Sequence, residues 1–275
     1  MYSLFPVAAL ATLLSTTLAA TPDTIPGFTV TWFDNFPAGT GVNTVLWAFW
    51  NGALSNGEQE TYPGPGINCQ ITAASSLLIA PENTNGQWTS CRLESHEVFN
   101  ASAGKKLRVQ AKFKLGDPGA QLQGIWPAFW SLGAGIRNKT AWPACGEIDT
   151  FENINGGTLG YGTVHCGANC FDPTGISQGI TFDYASFHTW SHVVDLTNAN
   201  WRQQSITFLL DNVAYKTVLG SDIRDLPTWQ TLVGPMFITV NVAVGGSWPG
   251  AVGSSTASGA AAGMEVQYVA VYESI

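Results

Sequence analysis

Three carboxylic acids lie within six residues of one another in residues 146–153. They are Glu147, Asp149 and Glu152, in a chain whose charged residues make up only 11% of the composition. Side chains of a β-strand alternate between its two faces, so Glu147 and Asp149 share a face and Glu152 projects from the other. One β-bulge between Asp149 and Glu152 corrects this parity, and bulges are common beside active sites. We therefore predict a bulged strand that presents all three acids on one face.

This spacing suits acid and base chemistry on a sugar. With the bulge, Glu147 and Glu152 are effectively four positions and roughly 13 Å apart at Cα, and their long side chains converge on a concave sheet. Carboxyl groups brought to about 5 to 5.5 Å form the pair of a retaining glycosidase, one attacking the anomeric carbon and the other protonating the leaving oxygen. Asp149 between them would tune the pair, and at least one pKa should rise. The pattern alone is short, and by itself it fits a solvated acidic strand or a metal site better.

The surrounding residues resemble the signature of glycoside hydrolase family 16 in its laminarinase-like form. The segments that carry the resemblance are, in chain order, residues 56–62 (NGEQETY), 89–92 (TSCR), 124–130 (GIWPAFW), 142–152 (WPACGEIDTFE), 162–165 (GTVH), 187–190 (FHTW), 210–215 (LDNVAY), 241–250 (NVAVGGSWPG) and the last strand, 264–272. The chain looks most like the secreted fungal endo-β-glucanase branch. The resemblance implies an all-β fold, a concanavalin A-like β-sandwich jelly roll with a concave substrate cleft.

The resemblance also implies an activity and three roles. Glu147 would be the nucleophile, Glu152 the acid/base and Asp149 an assisting residue, in an endo-β-glucanase that cuts internal β-1,3 linkages by double displacement with retention. Activity on mixed β-1,3/1,4 linkages stays open, and no cofactor is required. Two alternatives remain: a glucan transglycosylase that uses the same site, and a non-catalytic β-glucan-binding protein. The second is disfavoured because such proteins usually lack one or both glutamates.

Aromatic and polar side chains are candidates for holding the sugar. The C–H faces of sugar rings stack on indole, and their hydroxyl groups need polar partners. The resemblance assigns Trp126, Trp130, Trp142 and Trp248 to the cleft, and Asn56, Glu58, Arg92 and His165 to substrate binding. Asn56 and Glu58 could instead shape a turn, and His165 could be a core residue. Arg92 needs a carboxylate or a substrate hydroxyl for its planar donor group. We assign Trp32, Trp190, Trp201, Trp229, His188 and His192 to packing.

The elements that position these residues are predicted to be strands of one domain. Apolar residues alternate at Leu107, Val109, Ala111, Phe113 and Leu115, and Gly and Pro are spread through the chain without a linker. Residues 1–20 lack charge, contain an apolar stretch and end in small residues, as a signal peptide does, although basic residues are missing from their start. We expect a secreted, extracellular protein whose catalytic domain spans residues 21–275.

Five cysteines in a secreted chain indicate disulfides and one leftover thiol. We predict a Cys166–Cys170 bond, because a three-residue spacer can close a small loop and because the fungal branch carries a pair in that region. Cys69, Cys91 and Cys145 compete for the second bond, and the remaining one should be a buried free thiol. The acceptor sequences at Asn100 and Asn138 predict N-glycosylation on loops.

A net charge of −8 and a pI near 4.8 disfavour nucleic acid and anionic membranes as partners. A neutral β-glucan is compatible, whereas a sulfated glycan would call for a basic cleft. We expect a monomer and no membrane span. Many relatives bind a structural calcium near the first and last strands, but this chain has Asp34, Asn35 and Gln267 there, so calcium is disfavoured and no metal is assigned.

Overall fold

The computed structural model describes residues 19–275, which form eighteen strands and two short α-helices. In chain order the strands are β1 Phe28–Asp34, β2 Trp47–Phe49, β3 Glu60–Thr61, β4 Cys69–Ile71, β5 Leu77–Ile79, β6 Glu82–Thr84, β7 Gln87–Thr89, β8 Arg92–Ser95, β9 Lys106–Leu115, β10 Ile125–Gly133, β11 Glu147–Glu152, β12 Leu159–His165, β13 Ile176–Thr181, β14 His188–Asp195, β15 Ser205–Leu210, β16 Val213–Leu219, β17 Met236–Val244 and β18 Met264–Ser274. The helices are α1 Gly220–Ile223 and α2 Leu226–Leu232. Short 3-10 turns lie at Ala134–Asn138, Ala168–Cys170, Trp201–Gln203 and Gly259–Ala262.

Two antiparallel sheets pack face to face. The outer sheet has the order β16-β15-β14-β9-β18-β5-β4, and β1 also pairs with β18. The cleft sheet has the order β13-β12-β11-β10-β17-β8-β2. A small third sheet, β3-β7-β6, lies apart from both. The predicted all-β jelly roll is confirmed, and the acid-bearing strand β11 lies within the cleft sheet between β10 and β12.

Alternation along the strands builds the core between the sheets. The predicted apolar residues of β9 are all buried, at 5% exposure or less. Phe113 contacts Phe151 of the cleft sheet with ring centroids 4.9 Å apart, and Trp190 of the outer sheet lies 4.6 Å from Phe151. Large aromatic rings bury much apolar area and prefer such tilted contacts. Trp190 and Trp229 are fully buried, as the assignment to packing requires.

The outer face of the outer sheet is also covered. Arg108 and Gln110 point away from the core yet are buried, and Gln110 donates to the hydroxyl group of Tyr268 at 2.6 Å. Ala20 and Ile25 are among the apolar residues that pack against the cluster of Tyr268, Ala270 and Tyr272. Residues 1–18 of the predicted signal peptide lie outside the described part of the chain. Among residues 19–275, no helix has the length and apolarity to cross a membrane.

The structure resolves the competition among the cysteines. Cys166 pairs with Cys170 as predicted, and Cys69 pairs with Cys91, which ties the outer sheet to the start of β8 in the cleft sheet. Cys145 is the buried free thiol. Burial and the nearby charge of Glu147 raise its pKa to about 11, so this thiol stays protonated at neutral pH and is a poor nucleophile.

Two further sequence predictions concern surface and metal chemistry. Asn100 and Asn138 are both exposed, so glycan attachment is sterically open and stays a prediction. Asp34 is buried, with one oxygen accepting from the backbone nitrogen of Phe36 at 3.0 Å and the other from Trp47 Nε1 at 2.9 Å. Asp34 therefore serves internal hydrogen bonds, and Gln267 lies at a bulge of β18.

Candidate active site

The bulge of β11 turns all three acids toward one cleft. Across β10 the partners of Glu147, Asp149 and Glu152 are Leu132, Trp130 and Ala128, and across β12 they are His165, Thr163 and Tyr161. Between Asp149 and Glu152 strand β11 advances one residue more than β12, which is the predicted bulge. Ile148 and Phe151 consequently lie in the core, while Glu147, Asp149 and Glu152 line the cleft.

The cleft has a volume of about 670 Å³ and combines aromatic with ionisable side chains. Of the predicted site residues, it is lined by Asn56, Glu58, Arg92, Trp126, Trp130, Trp142, Glu147, Asp149 and Glu152. His165, on β12, lies beside the acids of β11. Trp248 is 41% exposed and packs on Trp126 and Tyr161, with ring centroids 5.6 and 5.4 Å away, so it continues the aromatic surface beyond the cleft lining.

Two of the cleft tryptophans hydrogen-bond to the catalytic candidates. Trp126 Nε1 donates to Glu152 Oε1 at 2.9 Å, and the Trp142 side chain donates to Glu147. These bonds fix the direction of each carboxyl group and leave the other oxygen of each available. The sequence predicts that both tryptophans stack on sugar rings, and it carries no signal for their role as hydrogen-bond donors.

Burial raises the pKa of all three acids. Burial, followed by the charge of Glu152, raises the pKa of Glu147 to about 8, while the Trp142 hydrogen bond and Arg92 oppose the shift. Burial raises the pKa of Glu152 to about 7, against the Trp126 hydrogen bond. Burial and the charges of both glutamates also raise the pKa of Asp149. Because the groups interact, they lose protons as a set, and the site retains at least one near neutral pH.

This arrangement makes wild-type stability depend on pH. The pKa of Glu147 is about 8 in the folded state and near 4.5 when exposed, so the folded protein binds more protons in this window and its stability falls as pH rises through it. We expect Glu147→Gln, which cannot ionise, to raise the free energy of unfolding at pH 8 by on the order of 1 kcal/mol. At pH 4 the variant and wild type should be alike.

Urea denaturation at pH 4 and pH 8 measures this difference. Glu97→Gln is the matched control, because Glu97 is an exposed glutamate outside the cleft. An equal loss of stability between pH 4 and pH 8 in wild type and Glu147→Gln would contradict the expectation.

His165 is held between two aspartates. Its Nε2 lies 3.4 Å from Asp149 Oδ2, and its Nδ1 is hydrogen-bonded to Asp172 Oδ1. The ring of Trp142 packs against the imidazole, with centroids 5.6 Å apart. His165 is among the predicted site residues and Asp172 is not, because the only sequence signal of Asp172 is its position seven residues later, just past the Cys166–Cys170 loop.

Arg92 has a carboxylate partner and two aromatic ones. Its Nε and Nη2 donate to Glu94 Oε1 at 3.2 and 2.7 Å, and its guanidinium lies 4.5 Å from the ring centre of Trp50 and 4.6 Å from that of Trp130. Trp130 Nε1 in turn donates to Asn241 Oδ1 at 2.8 Å. Trp50 and Asn241 are not among the predicted site residues, because only the fold brings their segments beside β8 and β10. Glu94 is not among them either, although it lies two residues after Arg92 on β8 and therefore shares its face.

Asn56 and Glu58 shape a turn as well as lining the cleft. The backbone nitrogen of Ser55 donates to Glu58 Oε2 at 3.2 Å, and the backbone oxygen of Asn56 accepts from Ser247 at 2.8 Å. These contacts fit the alternative interpretation in which both residues form a turn. They also dock this segment against the loop that follows β17.

Glu147, Asp149 and His165 are the group of described side chains that offers ligand atoms for a cation, all within 4.8 Å of one another. Oxygen and imidazole ligands suit several divalent metals. Glu147 and His165 already have hydrogen-bond partners, in Trp142 and Asp172 respectively. Two glutamates suffice for glycoside hydrolysis, so the arrangement has a purpose that needs no metal.

A β-sandwich whose cleft holds two interacting glutamates among aromatic side chains defines a glycoside hydrolase. Residues 66–205 match the family described as the XgeA-like, catalytic GH16 domain. The chain belongs to glycoside hydrolase family 16.

Known proteins resemble most of this chain. The structure of an endo-1,3-beta-glucanase from Streptomyces sioyaensis is 32% identical, with a TM-score of 0.85 over 92% of this chain and 99% of that one. Keratan-sulfate endo-1,4-beta-galactosidase of Sphingobacterium multivorum is 25% identical over 95% of this chain, and glucan endo-1,3-beta-glucosidase A1 of Niallia circulans is 25% identical over 92%. The chain spans 58% and 39% of the lengths of these two relatives.

Proposed function

We propose that this protein is an endo-β-glucanase that hydrolyses internal β-1,3 linkages with retention of configuration. The observation that carries the proposal is the bulge that brings Glu147, Asp149 and Glu152 to one cleft. The Streptomyces sioyaensis protein, which is 32% identical over nearly its whole length, is described as an endo-1,3-beta-glucanase. A retaining mechanism follows if the two glutamates flank one glycosidic bond.

In the first step Glu147 attacks the anomeric carbon, and Glu152 gives its proton to the departing glucosyl oxygen. Water then attacks the covalent glycosyl-enzyme, while the Glu152 carboxylate takes the water proton and Glu147 leaves. The raised pKa of Glu152, about 7, suits a group that must donate and then accept. In the free site the interacting glutamates share the retained proton, and a substrate oxygen beside Glu152 draws it to that residue.

The cleft suits a neutral sugar chain. Acidic side chains outnumber basic ones along it: Glu58, Glu94, Glu147, Asp149 and Glu152 against Arg92 and Arg137. Both arginines are paired with Glu94, at 2.7 and 3.7 Å. A sulfated glycan, such as the one named for the Sphingobacterium multivorum relative, would meet a net negative field. Trp126 and Trp130 offer faces for glucosyl rings.

The proposal includes a secreted, glycosylated monomer. Two disulfides are typical of proteins made in an oxidising compartment. The exposed acceptors Asn100 and Asn138 and the apolar start of the chain support the same route. Mass spectrometry of the secreted product would identify its N-terminal residue and its glycans. Light scattering would give the mass of the protein in solution and thus its oligomeric state.

A substrate panel tests the activity. Purified protein is incubated with laminarin, mixed-linkage barley glucan, cellulose and keratan sulfate, and reducing ends and product lengths are followed. We expect laminarin to yield oligosaccharides of intermediate length early in the reaction, as internal cleavage requires. Cleavage of barley glucan would show that mixed β-1,3/1,4 linkages are also substrates. Products longer than the substrate would indicate transglycosylation. Laminarin that is bound and never cut would contradict the enzyme and favour a binding protein.

A further inference from the structure

The loop after β12 folds back onto the active site. The Cys166–Cys170 disulfide closes it, and Asp172 follows two residues later. Asp172 Oδ2 accepts from the backbone nitrogens of Cys166, at 2.9 Å, and Gly167, while its Oδ1 is hydrogen-bonded to His165 Nδ1. The Asp172 side chain is only 7% exposed. Both of its oxygens are therefore directed at the end of β12.

These contacts determine which nitrogen of His165 carries a proton. A carboxylate accepts and does not donate, so His165 Nδ1 is the donor to Asp172. Its Nε2 then faces Asp149 Oδ2, a buried atom without a hydrogen bond in the structure. With Nδ1 fixed as a donor, Nε2 can accept from a protonated Asp149 or, in a charged ring, donate to an ionised one, so the same ring orientation serves both states of Asp149.

We propose that Asp172, held by the Cys166–Cys170 loop, is a positioning residue that orients His165 toward Asp149 and thereby the catalytic pair. The role rests on the proposed function of the site. Asp149 lies between Glu147 and Glu152, and Trp142 contacts both the His165 ring and Glu147. A His165 ring that turns or changes its tautomer disturbs two neighbours of the nucleophile.

Asp172→Asn tests this with almost no change in volume. The asparagine oxygen can still accept from the loop nitrogens, but its amide group faces His165 Nδ1 and forces the proton to Nε2. We expect kcat on laminarin to fall about 10- to 100-fold, as for a small misplacement of reacting groups. KM should stay unchanged, because Asp172 does not line the cleft.

The chain contains a matched control. His188 Nδ1 is hydrogen-bonded to Asp211 Oδ2 at 2.6 Å, and Asp211 Oδ1 accepts from the backbone nitrogen of Thr189 at 2.8 Å. This pair has the same hydrogen bond between a histidine Nδ1 and an aspartate, but it lies at the outer sheet, away from Glu147, Asp149 and Glu152. Asp211→Asn should therefore leave kcat unchanged.

Nuclear magnetic resonance supplies a readout that a merely structural role would not change. The protein has four histidines, so ¹⁵N labelling of histidine gives a small spectrum, and His165→Gln assigns the signal. We expect a proton on His165 Nδ1 in wild type and on Nε2 alone in Asp172→Asn. Asp211→Asn should keep the wild-type His165 signal.

The disulfide gives a second, independent variant. In Cys166→Ser/Cys170→Ser the loop loses its covalent closure while Asp172 remains. We expect a lower kcat at unchanged KM, with thermal melting confirming a folded protein. Wild type without activity on laminarin would refute the proposed function. Active wild type whose kcat survives both Asp172→Asn and the double serine variant would overturn this inference alone.

Discussion

Replacing Glu147 with alanine is expected to lower laminarin hydrolysis by more than about 10³-fold, because no other group can form the glycosyl-enzyme. The side chain is well placed to be irreplaceable. Trp142 holds its direction through a hydrogen bond, and β11 is an interior strand of the cleft sheet. Alanine leaves a space on the α face of the sugar at the anomeric carbon. A small external anion can enter that space.

Azide rescue identifies the role through the product. The substrate is an aryl β-glycoside of a β-glucan oligosaccharide. In Glu147→Ala, azide attacks its anomeric carbon from the α face, as the carboxylate does in wild type, so the product is the α-glycosyl azide. Chromatography and NMR of the product measure its configuration. Glu97→Ala, at an exposed glutamate outside the cleft, should act as wild type. A β-glycosyl azide from Glu147→Ala would contradict the nucleophile assignment.

Replacing Glu152 with alanine is expected to slow laminarin cleavage by about 10²- to 10⁴-fold, the usual contribution of a general acid. The loss should be much smaller for a dinitrophenyl glycoside, whose leaving group needs no proton. The raised pKa of Glu152, about 7, predicts a fall in kcat/KM of wild type as pH rises through neutrality. That fall reports loss of the acid's proton, so it should be absent in the variant.

The two alanine variants are also tests of each other. In Glu152→Ala the glycosyl-enzyme still forms on Glu147, and azide then attacks from the opposite face to give the β-glycosyl azide. Equal losses of activity on laminarin and on the dinitrophenyl glycoside would show that Glu152 does not act as the acid. If Glu147→Ala gave the β-glycosyl azide and Glu152→Ala gave the α-glycosyl azide, the roles of the two glutamates would have to be exchanged.

Much of the fold was readable because strand periodicity is local. The alternation from Leu107 to Leu115 predicted β9, and the parity mismatch between Asp149 and Glu152 predicted the bulge. Both follow from the two-residue repeat of a strand, which needs no knowledge of its partners. The pairing of Cys69 with Cys91 was not readable in the same way. It depends on which strands approach each other across the two sheets.

The sequence by itself determined the class of chemistry. Three acids on a bulged strand, flanked by segments that resemble family 16, indicate glycoside hydrolysis. Only the tertiary structure decided the partners of those acids. Asp172 beside His165, which neighbours Asp149, is set by loop closure, and the rings of Trp50 and Trp130 beside Arg92 are set by strand order. The physical reason is range: side-chain alternation is encoded within a few residues, whereas hydrogen bonds and pKa values depend on whatever folding brings within a few ångströms.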